Sequence, residues 1–591
     1  MREPAPRTFE IGLVMAGAVS AGAYTAGVLD FLFQALAEWE KAKTKALTSG
    51  AKDVPDHRLS IRAVTGTSAG GICSALAAMM PFTGHYPVEA PNSAATAKNL
   101  LYKCWVKDID LTKLLARDDL GGEAVPSLLN GNAVAAVATD AVTTVRAAIA
   151  GGASPQAPAW FANPLELYLC VTNLTGTPYL IQMIAADPIR GHRVTTHADY
   201  AHFAVVGAGA GATEPLPLAA TPVNWPGTQG QNAVDGWDRL LEAALATSAF
   251  PVGLPARPFE NERLVYEARR WPRPYGEDAD KIVTSISPLL DPPQVKPTHD
   301  FWTLDGGLIN NEPLELARTA LSGAPDAHNP RDPRQANRAV LMIDPFPEDE
   351  EQPDRAKKGD SEPPDMFESL FGLLPLLKTQ ARFKPEEVML AMHEGVHSRF
   401  LIAPTRRKYE EGETNIASFG VSGFAGFVHE KLRQHDFFLG RRNCQQFLRN
   451  HLVVHVENPI VKPWVDRLKA AGALEQFHPL ITLPGGTRVE DEDFVQLVPL
   501  YGAAAKRIDA PTWPKLDRER EVHKRLEKGI EKRTSEVMDV ALNRLLKRVG
   551  IDTKIGRGII KAVIRRPVTK AVANKALGTI VNDLETRKLL K

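Results

Sequence analysis

"LSIRAVTGTSAGGICSALAAMM", Leu59 to Met80, decides the fold class. Leu59 to Val64 is a short apolar run of the kind that forms a strand, and Ile72 to Met80 is a run of small and apolar residues suited to a helix packed closely on a sheet. Between them, Gly66 to Gly70 reads GTSAG, placing Ser68 at the centre of a GxSxG pattern. A sharp strand-to-helix turn crowds the residues beside its central side chain. Glycines two positions away on each side relieve that crowding and leave the hydroxyl exposed. The helix that follows aims its N-terminal amides and positive dipole end at any negative charge developing there.

The same pattern occurs once more upstream. "FEIGLVM" (Phe9 to Met15) reads as a strand, "AGAVSAG" (Ala16 to Gly22) as a small-residue loop, and "AYTAGVLDFLFQALAEWEKAK" as an amphipathic helix with Val28, Leu29, Leu32, Phe33 and Leu36 on its apolar face. Two successive strand-helix units predict an α/β fold: three layers, α/β/α, around a mainly parallel sheet. Later strands are expected at Glu166 to Thr172, Tyr179 to Ile184, Phe301 to Leu304 and Ala339 to Asp344. The Gly, Ala and Pro-rich stretches Ala185 to Gly230 and Arg257 to Asp300 read as long insertions, of lid or binding-loop type.

These patterns divide the chain into residues 1–345, an acidic Pro-rich linker at 346–365, an α-rich accessory region at 366–514 and a basic helical tail at 515–591. In the tail, Met538, Leu542, Leu545 and Val549 form one stripe ending at Gly550, a C-cap position. A second helix there is expected to break at Pro567. "MFESLFGLLPLLK", Met366 to Lys378, reads as a buried helix, with an interfacial anchor as the alternative.

The 591 residues carry 70 Lys+Arg and 70 Asp+Glu, so the whole chain has no charge signature of nucleic-acid binding. The tail alone holds 21 basic and 10 acidic residues from Lys515 to Lys591. Its segment "RGIIKAVIRRPVTKAV" places Ile560, Val563 and Ile564 beside Lys561 and Arg565, a pattern able to contact anionic headgroups. Docking on the acidic remainder of the chain is the other reading. Cys73, Cys104, Cys170 and Cys444 lie far apart without metal-ligand spacing, which speaks against a zinc site and suits a reducing, cytoplasmic setting with contact at the membrane periphery. Ile11 to Leu29 follows Arg2 and Arg7 and has signal-like features, but Glu3, Glu10 and the internal glycines speak against that reading.

A serine nucleophile needs a base. His435, in "RQHDFFLG", stands beside an acid but in no context that singles it out. "FWTLDGGLINNEP" leaves a clearer trace: Asp305 ends a short strand, Gly306 and Gly307 allow a sharp turn, and Asn310 and Asn311 read as caps with Pro313 near the start of a following helix. Chance composition would supply both this tripeptide and GxSxG about 0.03 times in such a chain.

With both blocks in place, the sequence resembles the patatin-like phospholipase family. "GTSAG", "DGGLINNEP" and "ALATSAFPVGLPARPF" (Ala244 to Phe259) carry the likeness, which covers roughly residues 8 to 345. The resemblance implies a Ser68–Asp305 dyad without histidine, no cofactor or metal, and lipid acyl esters as substrates, cleaved as by a phospholipase A or lysophospholipase. It also implies an oxyanion hole from backbone amides at Gly17, Ala18 and Val19, with Gly22, Gly66, Gly70, Gly306 and Gly307 as motif glycines. The departure is in the first loop: where the family has a glycine-rich GGGxRG, this chain has "GAVSAG", and a β-branched Val19 is not expected at positive φ. A free aspartate, with a pKa of about 3.9, is a poor base unless its site is desolvated. The alternatives are an α/β-hydrolase with a Ser-Asp-His triad and a non-catalytic lipid-binding scaffold.

Overall fold

The computed structural model describes residues 4–122, 124–150, 157–181, 192–223, 233–269, 286–292, 294–323, 329–346, 398–406, 413–482, 488–548 and 554–591. The expected helix at 366–378, the 347–365 part of the linker, Ile184, Val549 and Gly550 lie outside these residues.

The chain opens with strand β1 (Thr8–Met15), helix α1 (Gly22–Ser49), β2 (Arg58–Thr67) and α2 (Ala69–Thr83). Every residue of β1 is buried, as expected for a strand covered by helices on both faces. Five strands run parallel in the order β10 (Arg399–Ile402), β9 (Arg338–Ile343), β1, β2 and β3 (Phe161–Ile181). Further strands attached along both edges of β3 complete the 10-stranded sheet. One face carries α1 and α2. The other carries a short helix, Leu314–Ser322, whose Ala317 and Leu321 pack on Val14 and Val340. The fold is therefore a three-layer α/β/α structure with a mainly parallel central sheet, followed by helices towards the C-terminus.

Several details depart from the expectation. β3 is one continuous strand in place of the two expected at 166–172 and 179–184, with a register irregularity between Thr172 and Thr177. The stretches read as lid-like insertions contain strands: β4 (His192–Val205) pairs antiparallel with β3, and β6 (Arg257–Glu262) with β8 (Thr298–Asp305). Their buried positions include Asp199, Ala201 and Asn261, and Val194 is exposed, so neither the alternation nor a continuous apolar run was visible. Pairing with long neighbouring strands supplies the order that local pattern does not.

The sheet also does not end at 345. β10 is its edge strand beyond β9, and residues 430–450 supply an outer cover. That helix, Glu430–Asn450, explains why α1 is not amphipathic: α1 is buried without a break from Gly22 to Leu36. The two helices cross at glycines. A Cβ on Gly27 would lie 1.9 Å from the Phe437 carbonyl oxygen, and one on Gly440 2.3 Å from that of Tyr24. Arg441 crosses the contact to pair with Asp30 and donates to Gln34 Oε1 at 2.5 Å, which gives "LGRRNCQQFL" its structural role. One helix among the described residues, Val19–Ser49, is long and apolar enough to cross a membrane, and 94% of that apolar stretch is buried inside the protein. The signal-like Ile11 to Leu29 segment is thus built into the central strand and core helix.

The tail forms two helices, Lys524–Arg548 and Lys554–Thr586, packed on one another and on the body. The second runs through Pro567 without ending. Tertiary contacts of Ala573, Leu577, Val581 and Leu584 hold it there despite the lost backbone bond. The buried stripe of the first is Leu526, Ile530, Arg533 and Leu546, whereas the expected Leu545 is 58% exposed. The four cysteines are free and buried.

Burial also makes stability depend on pH. His57 is fully buried, near-parallel to the Trp464 ring at 5.8 Å, and donates from Nε2 to the Leu497 carbonyl at 2.9 Å. Loss of solvation pushes its pKa down to about 3. An unfolded histidine takes up a proton near pH 6.5, while the folded one refuses it until about pH 3. Unfolding therefore binds protons in that window, and stability falls as pH drops from about 6.5 towards 3. At pH 5 the loss is about 2 kcal/mol. Melting curves at pH 7.5 and pH 5 should show a lower Tm at pH 5 and a smaller difference in His57→Gln, which retains an N–H for Leu497. An equal difference in both proteins would remove His57 as the cause.

Candidate active site

β2 ends at Thr67 and α2 begins at Ala69, so Ser68 alone makes the turn. It does so at φ 55°, ψ −125°, a conformation that a non-glycine side chain adopts only when its surroundings impose it. The surroundings are specific. Ser68 N–H donates to Thr247 Oγ1 at 2.9 Å, and Thr247 Oγ1 in turn donates to the Cys170 carbonyl at 2.5 Å. Gly70 lies against the end of β1, where a Cβ would stand 2.1 Å from the Met15 carbonyl oxygen. The glycine is needed for that approach, and the approach brings the loop after β1 beside the serine.

Register brings the acid to the same place. In β3, Cys170 is level with Thr67 of β2, and the next residue, Val171, pairs with Asp305 of the antiparallel β8. Ser68 and Asp305 thus meet at one level along one edge of β3, whose opposite edge pairs with residues 192–205, at the C-terminal edge of the parallel strands, the usual place for a ligand site in such sheets. Ser68 Oγ donates to Asp305 Oδ2 at 2.5 Å. Asp305 is 4% exposed, its Oδ1 accepts the Gly307 N–H at 2.7 Å, and its own N–H donates to the Ala249 carbonyl at 2.9 Å. Thr172 Oγ1 donates to the Asp305 carbonyl at 2.9 Å. Gly306 is fixed by contact: a Cβ there would be 2.3 Å from the Cys170 carbonyl oxygen.

The first loop completes the site. Gly17 is adjacent to the serine, with a Cβ position 3.2 Å from Ser68 Cβ, but its N–H donates to the Asn311 carbonyl at 3.3 Å. Ala18 and Val19 N–H have no acceptor among the described residues, nor has Ala69 at the start of α2. Val19 does take positive φ, 47°, against the sequence expectation. Gly22 opens α1 and is covered by the Trp105 ring, a packing role, while Gly66 sits near the end of β2 against Ser74 Oγ.

Asn310 and Asn311 do not cap a helix. Asn310 takes the Thr67 hydroxyl on its carbonyl at 2.8 Å and donates to Glu315 at 2.7 Å. Asn311, 1% exposed, faces Gly17 and Gly307 with its side-chain oxygen. Sequence reading missed Thr247 and Thr172 as individual residues, although Thr247 lies inside the "ALATSAFPVG" block.

His435 sits elsewhere. Its Nδ1 bonds Asp436 at 2.8 Å, its ring meets Trp513 edge-on at 5.2 Å, and it borders a cavity of about 740 Å³ walled by Phe31, Phe438 and Trp513. Among the described residues Ser68 has a carboxylate and no histidine as hydroxyl partner. No group of three or more His, Cys, Asp or Glu among them is placed to hold a metal ion.

The chain is 35% identical over 552 residues to the uncharacterized protein y4iI of Sinorhizobium fredii, a match covering 88% of this chain and 74% of the relative. The chain belongs to the family of that protein. No family model matches it. The relative's name states no activity, so function has to be read from the site.

Proposed function

We propose that the protein is a serine ester hydrolase of the patatin-like phospholipase type, acting on lipid acyl esters through Ser68 and Asp305. The observation that carries this reading is the 2.5 Å bond from Ser68 Oγ to the buried Asp305 carboxylate, made at a turn held at positive φ.

In this mechanism Asp305 accepts the Ser68 proton as Oγ attacks the ester carbonyl carbon. The oxygen that gains the electron pair is stabilised by the Ala18 and Val19 amides, with Gly17 N–H held by Asn311 and placing the loop. Collapse of the tetrahedral species breaks the bond to the alcohol, which leaves with the proton from Asp305. Water then gives a proton to Asp305 and attacks the acyl-serine, and release of the carboxylic acid returns the proton to Ser68. An apolar cluster next to the dyad suits an acyl chain: Phe250 follows Ala249, whose carbonyl accepts the Asp305 N–H, and meets Phe424 at 5.7 Å, and Phe424 meets Phe427 at 6.0 Å.

A fluorophosphonate probe tests the reading. Ser68 should be labelled at neutral pH, shown by peptide mass, and Ser68→Ala should be unlabelled. An unreactive folded protein would favour the lipid-binding scaffold instead.

A further inference from the structure

The loop after β1 poses a physical question. It holds a β-branched residue, Val19, at φ 47° where glycine would be at ease, so something outside the loop must impose the conformation. Ser20 is the link. It is fully buried, and its hydroxyl donates to the Gly423 carbonyl while accepting the Gly426 N–H at 3.0 Å. Both partners lie some 400 residues away in "GVSGFAGF", Gly420 to Phe427.

That segment is shaped to receive the loop. Gly426 has no room for a side chain, since a Cβ would be 2.6 Å from Ser20 Oγ and 2.4 Å from Ser418 Oγ. Its carbonyl accepts Arg433 Nη1 at 2.7 Å, so the residue is held from both sides. Gly423 takes φ 87° and places its Cβ position 3.5 Å from Val19 Cβ, directly against the strained residue. Val421 and Ser422, at φ 49° and 55°, are themselves held in the left-handed region.

We infer that Ser20 is a positioning residue: by tying the loop to Gly423 and Gly426 it holds Val19 at positive φ and keeps the Ala18 and Val19 amides aimed for the oxyanion. The brace supplies from the C-terminal half of the chain what local glycines would otherwise supply. This inference rests on the proposed hydrolase reading for its catalytic meaning, though the brace itself can be measured without it.

The test is a double-mutant cycle with Val19→Gly, read on a 4-nitrophenyl ester. Ser20→Ala in the native background should lower kcat about 10- to 100-fold, short of the 10²–10³ typical for complete loss of a donor, with KM changed less than about threefold. In a Val19→Gly background the loop no longer depends on an external hold, so adding Ser20→Ala should cost less than about threefold. A merely structural Ser20 would lower Tm equally in both backgrounds and leave kcat uncoupled to Val19, which would overturn the inference. Ser20→Cys, isosteric and weakly bonding, provides an intermediate case if Ser20→Ala does not fold. Amide exchange separates this idea from the hydrolase reading. If the native protein neither turns over esters nor reacts with the probe, the hydrolase reading fails. The brace then stands only if Ser20 substitution speeds exchange at 18–22 at least tenfold in a folded protein, and unchanged protection refutes it.

Discussion

Asp305→Asn should lower kcat at least about 10³-fold while leaving the fold intact. The substitution is nearly isosteric, and the asparagine Oδ1 can still accept the Gly307 N–H that Asp305 accepts at 2.7 Å. The backbone bonds that place residue 305, from its N–H to Ala249 and from Thr172 to its carbonyl, do not involve the side chain. The change falls on Oδ2, the atom 2.5 Å from Ser68 Oγ. An amide there cannot take the serine proton, and with its NH₂ turned to Oγ it donates to the nucleophile instead. Steady-state rates on a soluble ester, beside melting curves of both proteins, decide the matter. Activity within tenfold of the native protein would mean that another group removes the proton. Ser68→Ala sets the floor, because members of one catalytic unit are not additive and the double variant should be no slower than either single one.

The parts of this site differ in how far they could be read from sequence, and the difference has a physical origin. Ser68 and Asp305 were legible because each sits in its own short motif, whose glycines are demanded by backbone contacts within a few ångströms: Gly70 against Met15, Gly306 against Cys170. Local constraint leaves a local trace. β1 and β2 were legible for a similar reason, since strands buried on both faces are mainly apolar, Phe9, Ile11, Leu13, Val14 and Met15 in the first and Leu59, Ile61, Ala63 and Val64 in the second. β4 and β6 were not, because a strand with one wet face can use small or polar residues and takes its order from its neighbour. The same distinction applies to helices. α1 shows an apolar stripe in its sequence, yet Asp30 and Gln34 are buried, because their partner Arg441 arrives from another helix more than 400 positions later. No window along the chain contains both halves of that pair. Ser20 with Gly423 and Gly426 is a third case, and it bears on the site itself: without the 420–427 segment, Val19 reads as a defect in a glycine-rich loop. With it, the positive φ has a cause.

Removing residues after Pro514 should destabilise the protein and abolish ester hydrolysis, even on a soluble substrate with no membrane present. The tail is bound to the body by buried charge as well as apolar area. Arg533, 2% exposed, makes paired bonds of 2.8 and 2.9 Å to the Asp119 carboxylate and also donates to the Leu128 carbonyl at 2.6 Å and the Ser127 carbonyl at 3.2 Å. Breaking such a pair by removing one partner typically costs about 3–5 kcal/mol, because a desolvated charge is left behind. Arg525 pairs with Asp110 at 2.5 Å, and Val428 and Leu432 of the body would lose the cover of Val522, Leu526 and Leu577. Each large aliphatic exposed adds roughly 1.5–3 kcal/mol. The end of the second tail helix also reaches the brace: Arg587 lies over the Phe419 ring at 5.0 Å, and Asp583 packs against Gly420. A loss of tail should therefore be felt at Val19 through 419–423 and Ser20. Arg587→Ala is the milder probe, expected to lower kcat severalfold at nearly unchanged Tm. If the tail serves only to hold the protein on anionic lipid, the outcome is different: the shortened protein keeps its rate on a soluble ester and its Tm, and loses salt-sensitive binding to anionic vesicles. The exposed positions fit that second role better than the buried ones do, since Leu545, Val568 and Val572 are 58%, 36% and 45% exposed. The two functions draw on different faces of the same helices, so changing Leu545, Val568 and Val572 to serine should weaken vesicle binding without touching the rate on a soluble ester.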